Sequence, residues 1–166
     1  MNALLKYLLA FALLAGLAAC GDDDDGDGNG NNPLPDSPSL TATIDNGEYS
    51  STGSPGAGYS TENNLLVITS VDADSNTLSL TLSQPPGTTG SFPTKLDTPN
   101  AAGILFTPAG QNTFLSGEGS GTITLNTYAD GIVSGTFSGT IYEAVSGDSI
   151  VVSDGVFTNI PYTTQD

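Results

Sequence analysis

The chemistry open to this chain rests almost entirely on carboxylates. It carries 18 Asp and Glu against two lysines, Lys6 and Lys95, with no histidine and a single cysteine, Cys20. Without histidine there is no Ser-His-Asp or Cys-His catalytic set, and zinc or non-haem iron would lack its commonest ligand. One cysteine cannot close an intramolecular disulfide. Phosphate chemistry is poorly served with Lys95 the sole cation beyond Lys6, and a basic nucleic-acid footprint is missing, so no nucleic-acid partner is expected. Divalent cation binding and hydrolysis by paired carboxylates remain.

Two stretches have the spacing of a calcium loop. In "DDDDGDGNGNNPL", residues 22–34, Asp23, Asp25, Asp27 and Gly28 match the opening D-x-D-x-D-G. The second half fails, because Leu34 stands at the twelfth position, where a bidentate Glu is required, and Gly30 at the eighth. In "DADSN", 72–76, Asp72, Asp74 and Asn76 repeat the ligand spacing, but Thr77 replaces the loop glycine and Ser83 the closing Glu. A solvated hairpin turn explains the same residues. No metal and no cofactor are expected.

Glycoside hydrolysis needs two acids at a set separation in a cleft, usually with aromatic platforms, and the chain has no Trp. Asp45, Glu48, Glu62, Glu118 and Glu143 are the candidate acids, and they read as solvated turn or edge residues. No catalytic residue is assigned. Tyr49, Tyr59, Tyr128, Tyr142 and Tyr162 could line a ligand pocket, but they share no period and read as core. The glycine-rich "GEGSGT", 117–122, lacks the Lys of a phosphate loop and reads as a hairpin turn.

Cys20 has a context of its own. A short n-region with Lys6 precedes the apolar run "YLLAFALLAGL" and two small residues, the layout of a signal peptide, and the run is too short to span a bilayer comfortably. Leu17-Ala18-Ala19-Cys20 resembles the lipobox of bacterial lipoproteins. That resemblance implies that residues 1–19 are removed, that a diacylglycerol is joined to the Cys20 thiol and that the freed amine is acylated. Two acyl chains suffice for durable attachment, so the expected partner is a membrane, reached through the lipid on Cys20. Residues 20–39 carry one apolar side chain after the cysteine, Leu34, and cannot offset their ordering entropy; they read as a disordered acidic tether. An acidic run just after the lipidated cysteine resembles the surface-export signal of Bacteroidota lipoproteins. With Gly21 and not Asp after the cysteine, the outer membrane is expected, its leaflet left open.

From residue 40 to 166 the dominant period is two. "SLTATI" and "TLSLTL" alternate apolar and hydroxyl side chains, as half-buried antiparallel strands do. Strands are expected near 40–44, 48–51, 64–71, 77–83, 103–107, 121–128, 132–142 and 149–160, separated by Gly, Asn and Asp clusters. One all-β domain follows: an antiparallel β-sandwich of about eight strands, or alternatively a closed up-and-down, lipocalin-like barrel. "IDNGEY" at 44–49, "SGTITL" at 120–125, "SGTFSGTI" at 134–141 and "SDGVFTNI" at 153–160 resemble uncharacterised all-β lipoprotein domains of Bacteroidota. The resemblance implies a fold and a location but no activity. The expected function is a non-catalytic binding or structural role at the cell envelope. Two alternatives make structural demands: a lipocalin-like carrier of a small apolar ligand requires an interior cavity of a few hundred Å³, and a carboxylate-dependent glycoside hydrolase requires two acids facing each other across a cleft.

Overall fold

The computed structural model describes residues 37–95 and 101–166, with the Glu118 side chain excepted. Cys20, the 1–19 leader and the aspartates of 22–27 lie outside the described residues. Ten strands make up the domain: β1 (Ser39–Ile44), β2 (Gly47–Ser50), β3 (Gly56–Ser60), β4 (Leu65–Val71), β5 (Thr77–Leu82), β6 (Gly90–Pro93), β7 (Ala102–Thr107), β8 (Phe114–Ala129), β9 (Ile132–Glu143) and β10 (Ser149–Gln165). No helix occurs among the described residues, and the all-β class expected from the alternation holds.

Three details differ from expectation. Two strands beyond the expected eight, β3 "GAGYS" and β6 "GSFP", are too short and too rich in Gly or Pro to show an alternation. Their backbone groups pair because β4 and β8 present open ladders beside them. The sheet is also mixed, not purely antiparallel, since β10 pairs with β3 in parallel at Tyr162↔Ala57 through Gln165↔Ser60. Third, "SGEGSG" at 116–121 does not reverse the chain. It lies inside β8, where pairing with β9 jumps from Ser116↔Ile141 to Gly121↔Gly139, so the glycines form a bulge. Thr94, 1 % exposed, plugs that bulge: its hydroxyl donates to the Gly117 carbonyl at 2.8 Å and accepts from the Gly121 N–H at 2.9 Å.

The strand pairings close on themselves. β3, β4, β5, β7, β8, β9 and β10 each pair with the next, and β10 returns to β3. β1 pairs with the first half of β10 and carries β2 outside it. Two-residue turns with positive φ join β1 to β2 at Asp45 (51°) and Asn46 (69°), and β8 to β9 at Asp130 (55°) and Gly131 (77°), as the right-handed twist of the flanking strands requires. β10 bends twice, at register shifts after Val152 and after Phe157, where Asp154 and Asn159 take the left-handed conformation that short polar side chains tolerate.

The inward faces form one continuous cluster that includes Leu66, Ile68, Leu80, Ile104, Ile123 and Phe157, all fully buried. Each such side chain contributes about 1.5–3 kcal/mol. The glycines of "SGTFSGT" make room for this packing. A Cβ at Gly135 would lie on the Thr124 carbonyl and 2.5 Å from Cζ of Phe157, so the Phe157 ring covers the space that Gly135 leaves. On the next strand Gly155 does the same for Phe137, whose Cδ2 would stand 2.7 Å from an added Cβ.

Candidate functional site

One end of the sheet gathers the β4–β5 turn, the β7–β8 loop and the β9–β10 loop. The Ala109 N–H donates to Oδ1 of Asn76 at 3.0 Å, and Asn112 Nδ2 donates to Oε1 of Glu143 at 3.2 Å, so the three connections are tied together. Beside them opens a surface hollow of about 340 Å³ lined by Gly110, Gln111, Asn112, Phe114, Glu143 and Asp148.

Glu143, at the end of β9, is the one charged residue buried among the described residues, 7 % exposed. A buried carboxylate must be hydrogen-bonded, and both of its oxygens are engaged. Oε2 accepts from the Ser146 N–H at 2.8 Å, and Oε1 from Asn112 and, at 3.3 Å, from the Val145 N–H. Its backbone closes the loop as well, accepting from Gly147 N at 3.0 Å and donating from its own N–H to the Asp148 carbonyl at 2.8 Å. Hydrogen bonds from Ser146, and after them from Val145 and Asn112, hold the Glu143 carboxyl below its ordinary range against the opposing effect of burial. The result is a braced loop, 144–148, with Val145 at its tip and 89 % exposed.

The other expected candidates are not brought together with Glu143. Asp45, Glu48 and Glu62 are exposed on a turn, an edge strand and a turn, and the side chain of Glu118 lies outside those described. Asp72 and Asn76 brace their own turn: Oδ1 of Asp72 accepts from the N–H groups of Asp74 at 3.0 Å and Asn76 at 2.8 Å, and Oδ2 from Asn76 Nδ2 at 2.8 Å. This is a side chain replacing backbone partners in a reversal. Among the described residues no group of three or more Asp, Glu, Cys or His stands close enough to hold a metal ion. Asp148, which shares the hollow with Glu143, was not singled out by sequence; it follows "SG" in a loop, and only the fold brings it beside residue 143.

The tyrosines divide by environment. Tyr49 is buried, with its hydroxyl 2.9 Å from Ser70 Oγ, and burial pushes its phenol up to about 12. At the opposite end of the sheet Tyr128 packs edge-on between Tyr59 and Tyr162, with ring centroids 6.3 and 5.1 Å away. Tyr59 donates to Asn64 Oδ1 at 2.8 Å, but the Tyr128 hydroxyl, fully enclosed, has no protein partner. Burial raises the Tyr128 phenol far above its ordinary value, so it is no proton donor at neutral pH. Tyr142 alone points outward, 42 % exposed.

A second hollow of about 400 Å³ lies over the outer face of β8, β9 and β10, lined by Thr122, Thr124, Thr136, Ser138, Asp154 and Val156 among others. These hydroxyls are the outward half of the alternation. Both hollows open to the surface, while the space between the inward faces is occupied by the core cluster.

A family model described as a domain of unknown function, DUF6252, matches residues 36–161. No curated protein and no solved structure matches the chain.

Proposed function

We propose that this chain, a member of the DUF6252 family, a domain of unknown function, is a cell-envelope lipoprotein anchored through Cys20, whose domain binds a partner without catalysis; the family carries no function, and the reading rests on the chain's own residues. The observation that carries the binding role is the loop braced by Glu143. A general acid or base must exchange a proton with its substrate, and both oxygens of the one buried acid described are already engaged within the chain. What the bracing does instead is fix a loop that holds an apolar residue out in water. A surface ordered before it meets its partner loses less conformational entropy on binding, so the same contacts give a tighter complex.

Anchoring rests on the lipobox at Leu17 to Cys20 and on the stability of a two-chain anchor, in which each buried methylene contributes about 0.8 kcal/mol. The outer membrane is the proposed address, from Gly21 and the acidic run that follows it. Labelling with radioactive palmitate and fractionation test the anchor. The label should follow the wild-type protein into the membrane fraction and be absent from Cys20→Ser, which should lose membrane attachment; a Cys20→Ser chain still processed and membrane-bound would overturn it.

A further inference from the structure

Five large apolar side chains are exposed among the described residues, and three of them, Tyr142, Val145 and Val151, sit on the end of the β9–β10 hairpin. Tyr142 stands opposite Ser149 and Val151 opposite Thr140, so Tyr142 and Val151 are diagonal neighbours on one outward face, their backbones about 7–8 Å apart. Val145 crowns the loop that joins their strands. Single exposed apolar residues are ordinary, but a cluster rimmed by polar groups marks an interaction surface.

The rim is acidic. Asp148 lies in the same loop, and the N–H of Asp45 donates to the Val151 carbonyl at 2.9 Å, which fixes a second aspartate beside the cluster. The hollow next to the loop adds the Asp148 carboxylate and the side-chain amides of Gln111 and Asn112. Lys95, the only lysine among the described residues, pairs with Ala102, which stands opposite Leu82 at the far end of β5. No cation among the described residues offsets the rim. With a formal charge of −16, the chain repels a second copy of itself, an anionic lipid surface and a nucleic acid alike.

Resting on the binding role proposed above, we infer that the β9–β10 hairpin end docks a protein segment that presents apolar side chains beside lysine or arginine. The apolar residues cover Tyr142, Val145 and Val151, and the cation enters the hollow at Asp148. Hydrophobic contact supplies the affinity, and the acidic rim selects the partner and steers the encounter.

The test uses the mature chain, residues 20–166 with Cys20→Ser, isotope-labelled for NMR and titrated with two synthetic peptides. One alternates Val and Leu with Lys; its twin replaces every Lys by Glu. The Lys peptide should move amide signals of 110–114 and 142–151 and the Glu peptide should not. Tyr142→Ser with Val145→Ser should weaken binding about tenfold or more at unchanged melting temperature, and Asp148→Asn about threefold, with only the Asp148→Asn effect lessening at high salt. Equal binding of both peptides at the hairpin end overturns the charge assignment and leaves the binding role standing. Shifts confined elsewhere, or none with either peptide, overturn the hairpin end as the docking surface. Self-association, or binding to phosphatidylglycerol vesicles that Val145→Ser abolishes, gives the patch to another occupant and also overturns the inference.

Discussion

Replacing Tyr128 with phenylalanine should stabilise the domain. The Tyr128 hydroxyl is enclosed without a protein partner, and a buried hydroxyl in that condition costs about 1–3 kcal/mol. Phenylalanine keeps the ring and therefore both edge contacts, to Tyr59 at 6.3 Å and Tyr162 at 5.1 Å. Removing one oxygen opens a small void, worth no more than about 0.5 kcal/mol at roughly 24 cal/mol per Å³. The balance is a gain of about 1 kcal/mol, or a rise of about 4 °C in melting temperature for a domain of this size. Urea unfolding followed by circular dichroism, in a Cys20→Ser background, measures it, with the m-value checked to be unchanged so that the midpoint reports stability. A loss of 1 kcal/mol or more on Tyr128→Phe would refute the reasoning, because it would mean that the hydroxyl is satisfied in the folded protein.

Tyr49→Phe is the matched control and should go the other way, losing about 1 kcal/mol in the same urea experiment, because it strands Ser70 Oγ in a residue only 4 % exposed. Gly135→Ala should destabilise by about 3 kcal/mol or prevent folding, since its Cβ meets the Thr124 carbonyl and the Phe157 ring from two sides; a melting temperature within a degree or so of wild type would contradict the packing described. Glu143 has a lowered carboxyl pKa in the fold, so its contribution is fully present above the unfolded value of about 4.3 and is lost as pH falls through the folded value. Protection of the Val145 and Ser146 amides, measured against the exchange of an unstructured peptide at the same pH, should therefore fall on acidification below that range, and should already be lost at neutral pH in Glu143→Ala.

How far the fold was legible depended on whether a strand's own residues or its neighbours decided it. "TLSLTL" and "IVSGTFSGTIY" carry their alternation in full, and β5 and β9 form where that pattern puts them. β3 and β6 carry none, and exist because adjacent ladders were open. The run at 116–121 has the composition of a turn, and what makes it a bulge is Thr94, more than twenty residues earlier, a contact that no local pattern announces. Tyr142, which reads as core with the other tyrosines, is instead 42 % exposed, because by parity it continues the outward row Ser134, Thr136, Ser138 and Thr140. Its pairing with an exposed Val151 was not legible, since that requires the β9–β10 register. Glu143 was in the acid inventory, but its burial follows from being the next inward residue after Ile141 at the end of a strand, with a loop folded back over it.

The central claim is that this domain, held at the envelope by the lipid on Cys20, acts by binding through its β9–β10 end. Photo-crosslinking in the native envelope tests it most directly, with the reactive group placed at position 145 on the exposed loop tip and, for comparison, at exposed Asn126 on β8. The account predicts a discrete crosslinked species from position 145, absent from position 126 and lost when Tyr142→Ser is added. Equal crosslinking from both positions, or none from position 145, would contradict it.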